Sequence, residues 1–118
     1  VTDPSSADRR RALERLRRQK LADSAALAVS LADVREARAD GTADDEHDPE
    51  GSTLTSDWSR LQGLDDASRR SLADIDAALL RLDAGTYGIC VGCARPVAPG
   101  RLDARPATAL CIDCARAR

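Results

Sequence analysis

The 118-residue sequence has no Phe and no Met, and only one Trp, one Tyr and one His. Leu, Ile and Val together supply 22 residues, under a fifth of the chain. So small an apolar inventory cannot fill a large core, which excludes a barrel enzyme and argues against a Rossmann domain or a β-sandwich. Long apolar runs are missing too. The longest purely aliphatic stretch is Ala25 to Val29, far below membrane-spanning length, and the first ten residues lack the apolar segment of a secretory signal. On this reading the protein is cytoplasmic and has no membrane partner. Charge of one sign is absent as well: 18 basic against 20 acidic side chains leave −2, so bulk charge does not argue for nucleic-acid binding. The fold must be extended, metal-stapled, partly disordered, or a mixture of these.

The charge that is present is segregated. Residues 9–38 carry +5, residues 40–50 carry −6 and residues 85–118 carry +3. Arg9, Arg10, Arg11, Arg15, Arg17, Arg18 and Lys20 crowd into twelve residues opposed only by Glu14. Such a run is either a solvated helix face or a polyanion site.

Residues 7–39 contain neither Gly nor Pro and are rich in Ala, Leu, Arg and Glu, which predicts a long helix. Ser5 and Asp8 form a capping-box pattern at its start and Gly41 a stop. Its apolar stripe is loose: Leu27, Leu31 and Val34 keep a 4-3 spacing, whereas Leu13, Leu16 and Leu21 do not extend it cleanly, and Arg17, Lys20 or Ser24 falls in the seam. A second helix is predicted over 54–84. Positions 54, 58, 61, 65, 68, 72, 75, 79 and 82 follow a heptad, and seven of the nine are Leu, Trp or Ile, with Asp65 and Ser68 as interruptions. Two such helices joined by a short connection predict an antiparallel coiled-coil hairpin over residues 1–84. Its tip loop, about 40–53, contains Asp45, His47, Asp48 and Glu50. Six carboxylates lie within residues 40–50; they repel one another unless something cationic receives them, a solvated acidic loop being the plain alternative.

All four cysteines fall in two clips, Cys90-Val-Gly-Cys93 and Cys111-Ile-Asp-Cys114, separated by seventeen residues. Two C-x2-C clips at this spacing predict one tetrahedral zinc ion. Disulfides are the competing reading, which the expected compartment disfavours. Four thiolates leave no open coordination position, so the ion is structural. Its binding offsets the thin core of residues 85–118, a predicted four-cysteine zinc finger of short turns and strands around Val97, Leu102, Leu110 and Ile112.

A helical hairpin with an acidic tip, followed by Gly85-Thr-Tyr-Gly-Ile-Cys, the C-x2-C-x17-C-x2-C finger and Arg101-Leu-Asp-Ala-Arg-Pro, resembles the DksA/TraR family of zinc-finger transcription regulators. The resemblance is close over 85–114 and architectural over roughly 8–84. It implies a protein that binds RNA polymerase directly at the secondary channel, its tip reaching toward the active site, and that modulates promoter-complex stability without reading a DNA sequence. The implied tip residues are Asp45 and Asp48, with His47 and Glu50 beside them. Family tips read Asp-x-x-Asp-x-Ala, and Glu50 stands where Ala is expected. The string Asp44-Asp-Glu-His-Asp-Pro-Glu-Gly51 resembles tips of actinobacterial members. Arg15, Arg17, Arg18, Arg95 and Arg101 are candidate contacts to an acidic channel rim. Family cooperation with ppGpp draws on a helix beyond the last cysteine; here Ala-Arg-Ala-Arg follows Cys114, which leaves that cooperation open.

Two other classes compete. An enzyme is not expected: no Ser/His or Cys/His arrangement and no phosphate-binding glycine loop occurs, and a four-cysteine site is closed. A zinc-ribbon nucleic-acid or protein adaptor unrelated to polymerase would use the Arg-rich start of the first helix on phosphates. Tyr87 is the only finger aromatic for base stacking, and the acidic tip would repel a polyanion.

Overall fold

The structure is a computed structural model that describes residues 4–41 and 49–118, with 41 and 49–52 as backbone alone. It is mainly helical, as expected. The elements are α1 (Ser6–Gly41), α2 (Pro49–Ala84), α3 (Pro99–Ala104) and α4 (Ile112–Arg116). The start of α1 obeys the sequence signal. The Ser5 backbone N–H donates to Asp8 Oδ2 at 3.2 Å, and the Asp8 N–H donates to Ser5 Oγ at 3.1 Å, a reciprocal capping box. These Ser5 donors, together with Arg11, hold the Asp8 carboxyl below its ordinary value. At the other end the described part of the helix runs to Gly41. The described part of α2 already includes Pro49 and so extends beyond the start expected near 54.

No helix among the described residues is long and apolar enough to cross a membrane. The chain divides into two compact units, Val1–Gln19 with Ser71–Arg118, and Lys20–Arg70.

In the first unit, the start of α1 and the end of α2 run antiparallel around Leu13, Ile75 and Ala78, all at most 1 % exposed. Leu16, Leu79, Leu82, Tyr87 and Ala107 pack onto this cluster. Ion pairs flank it: Arg17 Nε to Asp76 at 2.8 Å and Arg10 Nη2 to Asp83 at 2.6 Å. Arg11 pairs with Asp8 one turn earlier. Being exposed, each contributes at most about 1 kcal/mol. Arg9 differs, since it is buried and meets Asp103 of α3 at 2.7 Å. Removing Asp103 would strand a buried donor at a cost of about 1–3 kcal/mol.

In the second unit every heptad position of α2 from Leu54 to Ser68 is buried or half-buried, the two polar interruptions included. Ser68 is tolerated because its hydroxyl lies 2.8 Å from that of Ser24 on α1, so neither oxygen is buried unsatisfied. Asp65 is held by Arg69 at 3.1 Å. Trp58 carries two cations from α1, with Arg35 Cζ 5.4 Å and Arg38 Cζ 5.7 Å from the ring centroid. Contacts of this kind contribute about 0.5–1 kcal/mol each at exposed sites.

The α1 stripe resolves differently from a heptad. Its inward positions run 13, 16, 20, 24, 27, 31 and 34, a 3-4-4 step followed by 3-4-3. The 3-4-4 step has a period of about 3.67 residues per turn, close to that of a straight helix. It puts Lys20 and Ser24 in the seam and leaves Leu21 exposed, which a strict heptad cannot accommodate.

Because Leu13 is wholly enclosed, Leu13→Ala should destabilise the protein by about 2–5 kcal/mol, the sum of lost burial and residual cavity. Chemical denaturation followed by circular dichroism measures it, and a shift below about 1 kcal/mol would show that the α1/α2 seam collapses around the gap.

Candidate metal centre

Residues 85–118 build the finger from turns rather than strands. Gly85 (φ +76) and Gly88 (φ +84) take left-handed conformations that open the two turns leading out of α2. The only pairing across the first clip among the described residues is an isolated antiparallel bridge between Ile89 and Pro96. Pro99 opens α3, and α4 carries the second clip.

Cys90, Val97 and Leu102 are buried together, with Tyr87, Leu110, Cys111 and Cys114 packed against them. Val97, Leu102 and Leu110 thus join the miniature core as expected. Ile112 does not: it is 46 % exposed, because it opens α4 and turns outward while Cys111 and Cys114 turn in.

The finger is tied to the helix ends of its own unit by polar contacts the sequence did not advertise. Tyr87 Oη donates to the Pro106 carbonyl at 2.8 Å, and Arg81 Nη2 to the Thr108 carbonyl at 3.3 Å. Tyr87 also belongs to the packing of both clusters.

The four Sγ atoms of Cys90, Cys93, Cys111 and Cys114 all lie within 4.8 Å of one another. Cys93 and Cys111 sulfurs are 3.8 Å apart. A tetrahedral ion with Zn–S bonds of about 2.3 Å requires sulfur–sulfur separations of about 3.8 Å, whereas a disulfide requires about 2.05 Å. The donor set therefore fits zinc. The Gly92 N–H donates to Cys90 Sγ at 3.3 Å, and a Cβ at Gly92 would sit 3.1 Å from Cys114 Sγ, so the knuckle needs glycine for close approach. Two residues on, Ala94 holds φ +64, a left-handed conformation that costs an L-residue about 1–2 kcal/mol.

Electrostatics push the same way. The backbone N–H of Cys111, with those of Gly92 and Cys93, pulls the Cys90 thiol down to about 6. The neighbouring thiols of Cys111, Cys90 and Cys93 push Cys114 up to about 12. Four sulfurs this close cannot all ionise without a cation among them, and a divalent ion supplies it.

Beside Cys111 lies a cleft of about 490 Å³ lined by Arg95, Arg101, Arg105, Ile112 and Asp113. Arg101 is partly committed within the finger, its Nε donating to the Leu110 carbonyl at 2.9 Å and Nη2 to Thr108 Oγ1 at 3.3 Å. Arg105 joins this basic wall without having been singled out in the sequence. Of the other candidate rim residues, Arg17 is paired with Asp76, while Arg15, Arg18 and Arg95 are exposed. Asp45, His47 and Asp48 lie outside the described residues, as does the side chain of Glu50.

Residues 85–118 match the family model of the prokaryotic dksA/traR C4-type zinc finger. The chain is 41% identical over 49 residues to the RNA polymerase-binding transcription factor DksA of Haemophilus influenzae, a stretch covering 42% of this chain and 34% of that one. It is 40% identical over 55 residues to an uncharacterized protein of Aquifex aeolicus, covering 47% and 38%. The match thus spans little more than a third of these curated relatives. Among solved structures, the transcription factor DksA2 from Pseudomonas aeruginosa superposes with a TM-score of 0.77 at 27% identity, covering 95% of this chain and 81% of that one. Fold and finger together define a mainly helical protein with a C4-type zinc finger, whose single structural Zn2+ is held by Cys90, Cys93, Cys111 and Cys114. Residues 85–118 thus carry a dksA/traR-type finger, and the fold is similar to that of DksA2.

Cys111→Ser should abolish stoichiometric zinc binding and unfold 85–118 while most of the α1 and α2 circular-dichroism signal survives; one zinc per chain in that variant would contradict the four-ligand assignment. Ala94→Gly relieves the left-handed strain and should raise stability by up to about 1 kcal/mol, read as a higher Tm of the zinc-loaded protein.

Proposed function

We propose that this protein is a transcription regulator that binds RNA polymerase directly. Its body and finger anchor at the rim of the secondary channel, and the acidic segment around Asp45 and Asp48 enters it. There the carboxylates bias promoter-complex stability by favouring one polymerase conformation. The observation that carries this reading is a C4-type finger packed with the ends of two helices in a DksA-like fold, in a chain that places six carboxylates within residues 40–50. No bond-making chemistry is required. The metal site is saturated by thiolates, so the ion shapes the finger and the carboxylates act by charge and hydrogen bonding.

In this reading Arg15, Arg18 and Arg95, exposed as they are, meet an acidic rim, and the protein works in the cytoplasm without sequence-specific DNA contact. The adaptor alternative loses its main support, because Arg9, Arg10, Arg11 and Arg17 are each already engaged by an aspartate. A run of arginines neutralised from within is a poor phosphate-binding surface.

The test is binding of zinc-loaded wild type and an Asp45→Asn/Asp48→Asn variant to purified core RNA polymerase, with single-round transcription on the same samples. Both should bind, and only the wild type should alter initiation. Absence of wild-type binding would sink the polymerase reading. Binding instead to non-specific DNA with a steep salt dependence, unchanged or strengthened in the variant, would favour the adaptor.

A further inference from the structure

Trp58 is the chain's only tryptophan and sits at a heptad position of α2, half-buried. Arg35 and Arg38, one turn apart on α1, both stack on it. A guanidinium gains from the negative face of an indole because the ring holds it without demanding full desolvation. Neither arginine appears in an ion pair among the described residues, although Glu36 lies between them in sequence. Arg35 is six residues from the last residue of α1 and Trp58 nine from the first residue of α2. The contact therefore joins, within about two and a half turns of their described ends, the two helices that bracket the acidic segment in sequence. Hydrophobic burial there is thin: Val34, Leu54 and Trp58 are only half-buried, and Leu61 is the buried apolar residue of this unit.

We propose that Trp58, with Arg35 and Arg38, is a positioning staple: it fixes the helix ends from which the acidic segment is presented, and acts through that segment rather than by touching polymerase. The proposal rests on the functional reading above. Arg38 also lies in the last turn of α1, where a cation complements the helix dipole.

The experiment combines amide hydrogen exchange of the free, zinc-loaded protein with the polymerase assay for Trp58→Leu, Arg35→Gln/Arg38→Gln and Trp58→Phe. Leucine keeps the seam apolar but removes the ring face, the glutamines keep the ring but remove the cations, and phenylalanine restores a π face. Protection of amides in 35–40 and 53–60 should fall by about tenfold in the first two variants. Their polymerase affinity should stay within about twofold of wild type while their transcriptional effect drops several-fold. Trp58→Phe should recover most of both. Unchanged protection in the first two variants overturns the staple. So does a full transcriptional effect in them when Asp45→Asn/Asp48→Asn has lost its own. If the aspartate variant behaves as wild type, the polymerase reading fails instead, and the staple is decided by exchange alone. Should Trp58→Leu unfold, the arginine variant, which leaves every seam residue in place, decides.

Discussion

Four sulfur atoms brought within 4.8 Å of one another are the constraint on which the C-terminal third of this protein depends. A segment with Val97, Leu102 and Cys90 as its buried residues has too little apolar surface to fold by burial alone. Coordination of a divalent ion replaces that missing term, and it does so only if backbone donors converge on the sulfurs and the loops turn tightly enough to bring them in. The unusual backbone at Gly85, Gly88 and Ala94 and the close approach at Gly92 are consequences of that demand. The finger in turn presents Pro106 and Thr108 to Tyr87 and Arg81, so the metal orders the surface against which the helix ends of the same unit pack.

The helices solve the same shortage by other means. In the first unit a small apolar cluster is framed by Asp–Arg pairs, which use the arginine-rich start of α1 for internal cohesion. In the second, cohesion comes from a hydroxyl pair, an intrahelical ion pair and stacked guanidiniums around a single buried leucine. The low aromatic content of the sequence is thus met by polar complementarity at the seam. This also accounts for a chain so rich in charge with so little net charge: most of the basic residues near the start of α1 have an acidic counterpart in space.

Much of the architecture was legible because it is written in periodicity and spacing. The heptad of α2, the capping box at Ser5 and Asp8 and the two cysteine clips each report a local physical requirement that residue types alone express. The α1 seam was not legible as a heptad, because it contains an eleven-residue step whose inward positions are Lys20 and Ser24. Polar residues at inward positions look like interruptions until their partner across the seam is known. The extension of α2 back through Pro49 was missed because proline signals a break and a helix start alike. The outward turn of Ile112, and the roles of Arg9, Asp103 and Arg105, depend on contacts between residues far apart in sequence, which no local pattern encodes.

The single tryptophan and the single tyrosine fall in different units, Trp58 within Lys20–Arg70 and Tyr87 within the finger-bearing unit. Each chromophore therefore reports on one unit alone. Excitation at wavelengths that select indole follows the unit flanking the acidic segment, while thiolate-to-cobalt charge-transfer absorption in the metal-exchanged protein follows the finger. The molecule carries, without any added label, the two optical channels needed to ask whether its units melt together or in succession.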